Sequence, residues 1–471
     1  MAIEIYEGEL TGSEVDALLS TVSSSNISAT HKITRSATLV IAASNSSAKV
    51  KAQADYVCDG TDDQEEINTA IGIINAVGGG RVILLEGIYY IGASIVPCNN
   101  LSFGGTGWGS VRLFQVGNTN VIAKTDGTSN DARVIISDII IVGDANATSG
   151  SAIYIDNQSN FTMSMVYVLS MPEYGIYIGV TSGSNHQLYN VYINGCGAAA
   201  YYIGAAHTLL DHAVSDGCLF SLFVPQSGSF LQVISSHFEG ASNNGIQLSA
   251  PYSSIIGSKI ITPGGRGVYI TADGYAATFT GNLIYECINT GIDTLAPNTK
   301  IIGNTIKSIN GIYGININPT AINSIAAENI LSGTGDGRYV VISAPGSSII
   351  NNQCAGVSDV GIELISAPEN IRIENNNIDK PIVGARGNGD IIKNNIGYIT
   401  ENTGTATITA AATTVNVIHG LAAAPTRVIL SPTTATGGKD FYVSAKDATT
   451  FTITIDTEAD EAISFDWQAV I

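Results

Sequence analysis

Acidic, basic and phenolic side chains fall close together between residues 211 and 286 of this 471-residue chain. These are the types of side chain that exchange protons in enzyme active sites. The members are Asp211, His212, Asp216, His237, Glu239, Lys259, Tyr285 and Glu286. Four consecutive copies of a sequence repeat carry them, so a regular fold would bring them onto one stretch of surface.

One chemistry that fits this set is removal of the proton next to a uronate carboxylate, followed by loss of the neighbouring oxygen. The reaction needs a base, a cation that stabilises the enolate-like charge and an acid for the leaving oxygen. His237 or Tyr285 would act as the base, with Lys259 as the cation. A lyase or an epimerase uses groups of these kinds.

A second chemistry is hydrolysis of a glycosidic bond, which needs two carboxylates. In a stacked fold, equivalent positions lie about 5 Å apart on neighbouring turns and roughly 10 Å apart two turns away. These distances bracket the separations used by retaining and inverting enzymes. Glu239 with Asp216 or Asp211 is the pair we expect. A plainer alternative is that Asp211 and His212 only hydrogen-bond a turn.

The repeat that carries these residues runs from about residue 137 to residue 394. Its clearest copies are residues 302–306, 350–354 and 392–396. Aligned on a small polar position, the copies give a column with members 18 to 27 residues apart: Ser137, Ser164, Asn190, His212, Ser236, Ser258, Asn282, Asn304, Glu328, Asn352, Asn376 and Asn394. We expect the Asn members to occupy left-handed corners and to hydrogen-bond from turn to turn.

An apolar or aromatic residue stands two positions after every member of this column, which is the alternation of a strand. These residues are Ile139, Val166, Tyr192, Val214, Phe238, Ile260, Ile284, Ile306, Ile330, Cys354, Ile378 and Ile396. Another strand follows about ten residues later, with Gly at its start. Short strands separated by Gly and Asn corners predict an all-β fold, a parallel β-helix of about 10–12 turns.

The later strand of each turn presents its own outward column. Its members are Tyr177, Tyr202, Gln247, Tyr269, Asp293, Asn316 and Glu363. Tyrosines along a flat wall can stack on sugar faces while their hydroxyls hydrogen-bond. Tyrosine is also simply a good strand former. We interpret the column through Asn316 as a substrate-binding strip.

The overall composition limits the partners. The formal charge is −20 and charged residues make up only 13% of the chain, whereas Gly numbers 51. A surface that neutralises phosphates is therefore not expected, and neither is nucleic-acid binding. A surface of Ser, Thr, Asn and Tyr suits a hydroxyl-rich ligand.

The cysteines and the apolar runs exclude several other classes. Six Cys occur without metal-ligand spacing, so neither a metal nor a cofactor is predicted. Cys196 and Cys218 should stack on adjacent turns, as core thiols or as a disulfide. No apolar run reaches the ~18 residues of a membrane span, and the N-terminus does not have the pattern of a signal peptide.

The N-terminal part divides in two. Residues 1–52 form a head and linker with a helix candidate at 13–19 and a strand at 37–43. The solenoid should occupy residues 53–400 and open with a capping helix at 62–76. Thr61 and Gln64 have the spacing of a capping box, and acids in the first turn suit the helix dipole. We therefore interpret Asp59, Asp62 and Asp63 as cap residues rather than catalytic acids.

Three stretches near this helix carry a family resemblance: DYVCDGTDDQEEINTAI at 55–71, GRVILLEGIY at 80–89 and LSFGGTG at 101–107. They resemble the start of pectate-lyase-superfamily right-handed β-helix proteins, in the style of phage tail spikes and tail fibres. The resemblance covers residues 54 to about 400 and implies the fold. That superfamily contains lyases, hydrolases, epimerases and non-catalytic binders, so no activity follows from it.

The catalytic motifs of the superfamily do not choose among these activities. Leu210-Asp211-His212 is faintly similar to the Asp-His strand of calcium pectate lyases, but the companion Arg-x-Pro-x-x-Arg is absent. The repeats also lack the Asp-Asp pair of polygalacturonases and the Asp-Pro-His-Glu of alginate epimerases.

The repeat stops after residue 394. Residues 403–471 read as five or six antiparallel strands, at 406–409, 414–418, 426–430, 440–443, 450–455 and 462–470. A small β-sandwich is the predicted fold. Residues 417–425, 451–453 and 465–467 are similar to terminal modules of phage tail fibres, which trimerise or bind receptors.

Together these features predict a tail-spike-like protein that binds a surface polysaccharide along its shaft and depolymerises it as a hydrolase or a lyase. A non-catalytic adhesin, a structural spacer and a uronate epimerase remain alternatives. The resemblance further implies a homotrimer in a virion tail, with the N-terminal head attached to another virion protein and no membrane insertion.

Overall fold

A computed structural model describes residues 38–107, 109–125, 133–181, 183–307, 312–333, 337–356 and 359–471. The helix candidate at 13–19 lies outside these residues. In these residues the repeat folds as an all-β parallel solenoid of about twelve turns, in which each regular turn adds one short strand to each of three walls. We call these walls sheets 1, 2 and 3.

Sheet 1 has twelve strands. They are Ile122–Lys124, Ile153–Ile155, Ile176–Ile178, Ala199–Ile203, Phe220–Val224, Ile246–Leu248, Val268–Ile270, Thr290–Thr294, Tyr313–Ile317, Arg338–Ile342, Val360–Leu364 and Ile382–Val383.

Sheet 2 follows sheet 1 within each turn. Its strands are Thr38–Ala42, Gly80–Leu84, Leu101–Gly105, His186–Tyr189, Thr208–Asp211, Gln232–Ile234, Ser254–Ile256, Thr278–Thr280, Lys300–Ile302, Ile325–Ala327, Ser348–Ile350, Arg372–Glu374 and Ile391–Lys393.

Sheet 3 completes the turn. Its strands are Gly87–Ile91, Val111–Gln115, Tyr192–Asn194, Val214–Asp216, His237–Glu239, Lys259–Ile261, Leu283–Tyr285, Thr305–Lys307, Ile330–Ser332, Gln353–Cys354 and Asn377–Ile378. Val134–Val142 and Phe161–Leu169 run through both sheets 2 and 3, and Tyr56–Val57 pairs with Thr38–Ala42. These links join the two walls into one 27-stranded sheet.

The interior is one continuous apolar core that runs from Leu39 to Ile392. It forms because alternate side chains of each short strand point inward and stack on the same position of the next turn. Phe238 and Ile260 are such a stacked pair, and both are fully buried.

Between sheets 2 and 3 lies an asparagine ladder. In it, the side-chain carbonyl of each member accepts the backbone N–H of the member one turn earlier. The members are Asn282, Asn304, Asn329, Asn352, Asn376 and Asn395, preceded by Ser236 and Ser258. Turn-to-turn hydrogen bonding by amides is therefore confirmed. All these Asn residues are buried, which leaves their amides no water to bond.

The left-handed corner is a different position, one residue before the ladder. It holds Asn190, His212, Glu328, Asn351 and Asn394, all with φ between 51° and 59°. The single column predicted from the sequence mixed the ladder with the corner and with the residue before the corner. It stood one residue too early at Asn190, His212, Glu328 and Asn394, and two residues too early at Ser137 and Ser164. Tyr192 and Val214 consequently point outward rather than inward, and Ile330 and Ile396 are exposed.

The capping helix spans Gln64–Ala76 and covers the first turn with Ile67, Ala70, Ile71 and Ile74. The predicted capping box is wrong, because Asp63 is the N-cap and makes no side-chain bond to the helix. Its carboxylate instead accepts the backbone N–H groups of Gly60 (2.8 Å) and Tyr90 (2.7 Å). The bond from Tyr90 fastens the helix to a strand of sheet 3.

The strand Thr38–Ala42 falls within the residues that the sequence assigned to the head. It pairs in parallel with Gly80–Leu84, so these residues belong to sheet 2. A short helix, Ala48–Lys51, leads from it toward the capping helix. None of the helices in the described parts of the chain is long and apolar enough to cross a lipid bilayer.

Cys196 and Cys218 stack on adjacent turns as predicted. Both are buried free thiols, and the backbone N–H of Cys196 donates to Cys218 Sγ at 3.2 Å. The contact with Cys218, together with burial, raises the pKa of Cys196.

The C-terminal residues form the predicted small β-sandwich. One antiparallel sheet contains Glu401–Ile408, Arg427–Pro432 and Ile463–Val470, and the other contains Thr414–Ile418, Phe441–Lys446 and Thr450–Ile455. Phe451, Phe465 and Trp467 pack in a core separate from that of the solenoid. His419 is structural, since its Nδ1 accepts from the Leu421 N–H at 3.0 Å and its Nε2 lies 3.1 Å from the Asp447 carbonyl.

Candidate functional site

The outward face of sheet 3 carries two parallel columns of side chains, which we call the sheet 3 wall. The first column is Tyr167, Tyr192, Val214, His237, Lys259, Leu283 and Thr305. The second is Leu169, Asn194, Asp216, Glu239, Ile261, Tyr285 and Lys307. Both columns are outward because the residue between them, such as Phe238 or Ile260, fills the core.

Two carboxylates lie on neighbouring turns of this wall. Asp216 and Glu239 follow the paired residues Ser215 and Phe238, so they occupy the same position one turn apart. The backbones of neighbouring strands are about 4.8 Å apart, a spacing comparable to the roughly 5 Å between the carboxyl groups of a retaining glycosidase. Gly240 leaves room for this pair, since a Cβ there would lie 2.7 Å from Asp216 Oδ1.

Each of these carboxylates has a different neighbour. Asn194 Nδ2 donates to Asp216 Oδ2 at 3.3 Å, which orients that carboxylate. Glu239 Oε2 lies 3.2 Å from His237 Nε2, although the two atoms are not aligned for a hydrogen bond. The Glu239 side chain is 47% exposed, so a ligand on the wall can reach it.

Cationic side chains flank the carboxylates on the later turns. Lys259 pairs with His237 on the next turn, as predicted, and Lys307 pairs with Tyr285. The predicted base and cation therefore share one wall, and Lys307 adds a second cation that the sequence analysis did not single out.

The wall also contains an aromatic platform that the sequence analysis missed. The rings of Tyr167 and Tyr192 lie 4.5 Å apart between centroids, on the turns just before Asp216. Burial, with smaller contributions from Tyr192 and Asp216, raises the pKa of the Tyr167 phenol. Tyr192 was assigned to the core because its turn was aligned one residue out of register.

Asp211, His212 and Glu286 occupy other places. Asp211 ends a strand of sheet 2, before the corner, and its Oδ1 lies 2.7 Å from Nδ1 of His212. His212 is the corner residue itself, with φ 53° and a side chain that is 62% exposed. Glu286 follows Tyr285 at the turn that leaves the wall, with φ 55°. The structure therefore brings His237, Glu239, Asp216, Lys259 and Tyr285 together.

The predicted strip on sheet 1 falls in one register through Tyr177, Tyr202, Gln247, Tyr269, Asp293 and Asn316. Tyr154 precedes it and Phe223 lies within it. The rings of Tyr154, Tyr177 and Tyr202 stack face to face, at 4.4 and 4.5 Å between centroids. Because the faces cover one another, this strip presents ring edges and hydroxyl groups to solvent.

In the later part of the strip, the polar side chains bond to one another. Asp293 Oδ2 accepts from Arg266 Nε at 2.6 Å, while its Oδ1 accepts from the Asn316 and Asn318 amides at 2.9 and 2.6 Å. The Arg266 guanidinium also lies 4.5 Å above the ring of Tyr269. Asp293 thus already has protein donors on both oxygens.

Comparison with known proteins agrees with this architecture. Residues 220–378 match the family described as a right handed beta helix region. The solenoid is a right-handed parallel β-helix. No curated protein sequence matches the chain.

Several solved β-helix structures resemble the chain at low identity. The Dettilon tailspike protein is 12% identical over 88% of this chain and 92% of its own, with a TM-score of 0.51. Tailspike protein 3 of bacteriophage CBA120 is 13% identical over 71% of this chain and 59% of its own, with a TM-score of 0.51. The catalytic domain of a GH87 α-1,3-glucanase is 12% identical over 69% and 67%, with a TM-score of 0.50. These likenesses concern the fold.

One grouping at the start of the β-helix has the residue types of a metal site. Cys58, Asp63 and Glu66 place ligand atoms within 4.8 Å of one another. Both Asp63 oxygens, however, accept backbone N–H groups. Burial raises the pKa of both Cys58 and Asp63. Asp63 therefore anchors the capping helix.

Proposed function

We propose that the sheet 3 wall binds a surface polysaccharide and hydrolyses its glycosidic bonds. The observation that supports this most directly is the pair Asp216 and Glu239, which occupy one outward position on neighbouring turns. Two carboxylates about 5 Å apart can act on one bond, one as nucleophile and the other as acid and then base.

The neighbours of the two carboxylates suggest their roles. Asp216, oriented by the Asn194 amide, would attack the anomeric carbon and form the glycosyl–enzyme bond. Glu239 would donate its proton to the departing oxygen and then take a proton from the water that releases the sugar. His237 at 3.2 Å would position Glu239.

The aromatic platform supplies the binding surface in this proposal. Tyr167 and Tyr192 lie on the turns immediately before the carboxylates. A polysaccharide chain that runs along the solenoid axis would cross the two rings before it reaches Asp216. A sugar has apolar C–H faces and polar hydroxyls, and tyrosine offers a partner for each.

A lyase is the second candidate, because one observation favours it specifically. Lys259 lies beside His237 and Lys307 lies beside Tyr285, so two cations flank two candidate bases. A uronate carboxylate placed between them would be neutralised while its α-proton is removed. His237 or Tyr285 would take that proton.

A binding-only role would use the sheet 1 strip as well as the wall. The tyrosine hydroxyls of the sheet 1 strip form a row on three consecutive turns, at Tyr154, Tyr177 and Tyr202. Gln247, Tyr269 and Asn316 continue the polar row toward the later turns. An adhesin would hold glycan there without turnover.

We also propose a place for the whole protein. The fold likeness to two tailspike proteins supports a virion tail location, with three copies side by side and the N-terminal head attached to another virion protein. The β-helix would then be the shaft and residues 403–471 the terminal module.

A polysaccharide digestion screen tests the proposed function. The purified protein is incubated with neutral and acidic polysaccharides, and reducing ends are measured together with the ultraviolet absorbance of unsaturated uronates. Reducing ends without absorbance indicate the hydrolase and the carboxylate pair. Reducing ends with absorbance indicate the lyase, with His237, Lys259 and Tyr285. Retention of a polysaccharide with no product would reject catalysis and leave the adhesin.

A further inference from the structure

A second corner of the β-helix, between sheets 1 and 2, carries an unusual set of residues. The corner position has positive φ in all eleven turns where it occurs in register: Asn160, Asn185, His207, Phe230, Tyr252, Ala276, Asn298, Asn323, Gly346, Asn370 and Gly389. Asn and Gly tolerate this left-handed conformation best, and they occupy seven of these eleven positions.

Three consecutive turns depart from this rule with ring-bearing side chains. His207, Phe230 and Tyr252 have φ of 52°, 58° and 55°. A bulky residue in this region is a conformational outlier, because its side chain crowds the backbone. Strain of this kind persists only where the surrounding structure over-determines the conformation, and such residues cluster at functional sites. Asn adopts this conformation at the same position in five other turns, so we expect Asn to relieve the strain here.

The rings form a continuous exposed strip. His207 stacks on Phe230 at 4.8 Å between centroids, and Phe230 stacks on Tyr252 at 5.2 Å. Tyr275, beside the corner residue of the next turn, meets Tyr252 edge-on at 5.1 Å. Phe230 is 46% exposed and Tyr252 51%. We call these four residues the aromatic corner.

The loops that lead into the aromatic corner are nearly free of charge. Residues 204–207, 225–230, 249–252 and 271–276 contain one formally charged residue, Asp273. Its Oδ1 accepts from the Gln226 amide at 3.4 Å, which bridges two turns beside the rings. The aromatic corner thus combines apolar edges with an amide and a carboxylate. On a chain of charge −20 it offers no attraction to a polyanion.

We propose that the aromatic corner is a binding subsite for a neutral glycan, separate from the sheet 3 wall. The glycan would lie along the corner, with its C–H groups against the ring edges and the face of Tyr275, and with its hydroxyls bonded to Gln226 and Asp273. This inference rests on the proposed function, because it takes the polysaccharide as the ligand. It adds a second contact that would hold the polymer while the wall acts on it.

Two different roles for the aromatic corner would give different results in the same experiment. Ring stacking along the corner stabilises the turns, so the aromatics could be purely structural. A second copy of the chain could instead cover the rings as a subunit interface. The double variant Phe230→Asn/Tyr252→Asn separates these cases, because Asn is the residue that other turns carry at the same corner position.

The experiment measures retention of the whole protein on immobilised dextran, mannan, galactan, alginate and hyaluronan, together with its melting temperature and sedimentation. Tyr442→Asn is the matched control, because Tyr442 is 54% exposed on the C-terminal sandwich.

The proposal predicts that the double variant binds a neutral polysaccharide at least about tenfold more weakly, with an unchanged or higher melting temperature and unchanged sedimentation. Tyr442→Asn should bind as the wild type does. Equal binding by the double variant, a lower melting temperature, a change of oligomeric state or binding of acidic polymers alone would overturn it. A wild type that binds none of the five would overturn both proposals, whereas binding without cleavage would reject only the hydrolase.

Discussion

Single side chains on the sheet 3 wall acquire their roles from what lies one turn away. Asp216 is oriented by Asn194 on the turn before, and Lys259 stands beside His237 from the turn after. A flat parallel wall fixes such neighbours at the strand spacing, so it can hold a catalytic arrangement without a deep pocket. Exposed groups of this kind are accessible to an extended polymer, which is the substrate in our proposal.

The aromatic platform gives a prediction for binding. Replacing Tyr192 by Ala removes the ring that Tyr167 contacts at 4.5 Å. We expect retention on the polysaccharide to fall at least about fivefold, while the melting temperature changes little because Tyr192 is only half-buried. Tyr442→Ala in the sandwich is the control. Undiminished retention of Tyr192→Ala would exclude the platform from the binding surface.

His186 gives a prediction for pH. Its ring is fully buried, and desolvation lowers its pKa from 6.5 to about 4. Well above pH 6.5 the histidine is neutral in both the folded and the unfolded chain, so it does not make stability depend on pH. As the pH falls toward 4, the unfolded chain takes up a proton that the folded chain refuses, so stability decreases by up to about 3 kcal/mol.

The comparison that isolates this effect is His186→Gln. Denaturation midpoints of wild type and variant, measured from pH 7 to pH 4, should converge as the pH falls because the variant lacks the titrating ring. Midpoints that stay parallel across this range would refute the assignment.

At the level of the element, the asparagine ladder is the most constrained part of the turn. Asn329 Oδ1 accepts from both the N–H and the side-chain amide of Asn304, and Asn329 Nδ2 donates to the Ile301 carbonyl at 2.9 Å. Asn329→Ala would leave these buried groups unpaired and cost about 3 kcal/mol of unfolding free energy.

The neighbouring residue supplies the control for the ladder. Glu328 is exposed at the left-handed corner with φ 59°. Glu328→Gly should remain within about 1 kcal/mol of the wild type, because glycine relieves the corner strain while adding chain entropy. The unfolding free energy of both variants is measured by chemical denaturation. An equal loss of stability in Asn329→Ala and Glu328→Gly would contradict the stabilising role of the ladder.

The same two positions show how far the sequence could predict the fold. Strand alternation and Gly or Asn corners were enough for the parallel solenoid, its capping helix and the C-terminal sandwich. They did not predict, for every turn, which residue occupies the ladder position. At Glu328 the corner is occupied by a polar residue, so the sequence pattern alone does not distinguish it from the ladder residue Asn329 that follows. Because side chains alternate, a slip of one residue moves Tyr192 from the wall to the core.

The candidate site shows the same limit. His237, Lys259, Glu239 and Tyr285 were grouped correctly because their turns were in register. The aromatic corner was not foreseen, since an aromatic residue gives no sign in the sequence that its φ is positive.

At the scale of the whole molecule, the β-helix and the sandwich have separate hydrophobic cores. We therefore expect two transitions in calorimetry. Phe451→Ala truncates a fully buried ring in the sandwich, so it should lower the unfolding free energy of the sandwich by about 3–5 kcal/mol. The transition of the sandwich should then move to lower temperature, while the transition of the β-helix stays in place. Polysaccharide cleavage should survive this change. A single transition that shifts as a whole would mean that the two parts unfold together.

The most direct test of the central claim compares Glu239→Gln with the wild type on a polysaccharide that the wild type retains. Reducing-end release and retention are measured on the same samples. If the wall hydrolyses the polymer, release should fall at least about 100-fold because the proton donor is gone, while retention stays the same. Glu286→Gln, just beyond the wall, should cleave normally. Full activity of Glu239→Gln would contradict the account.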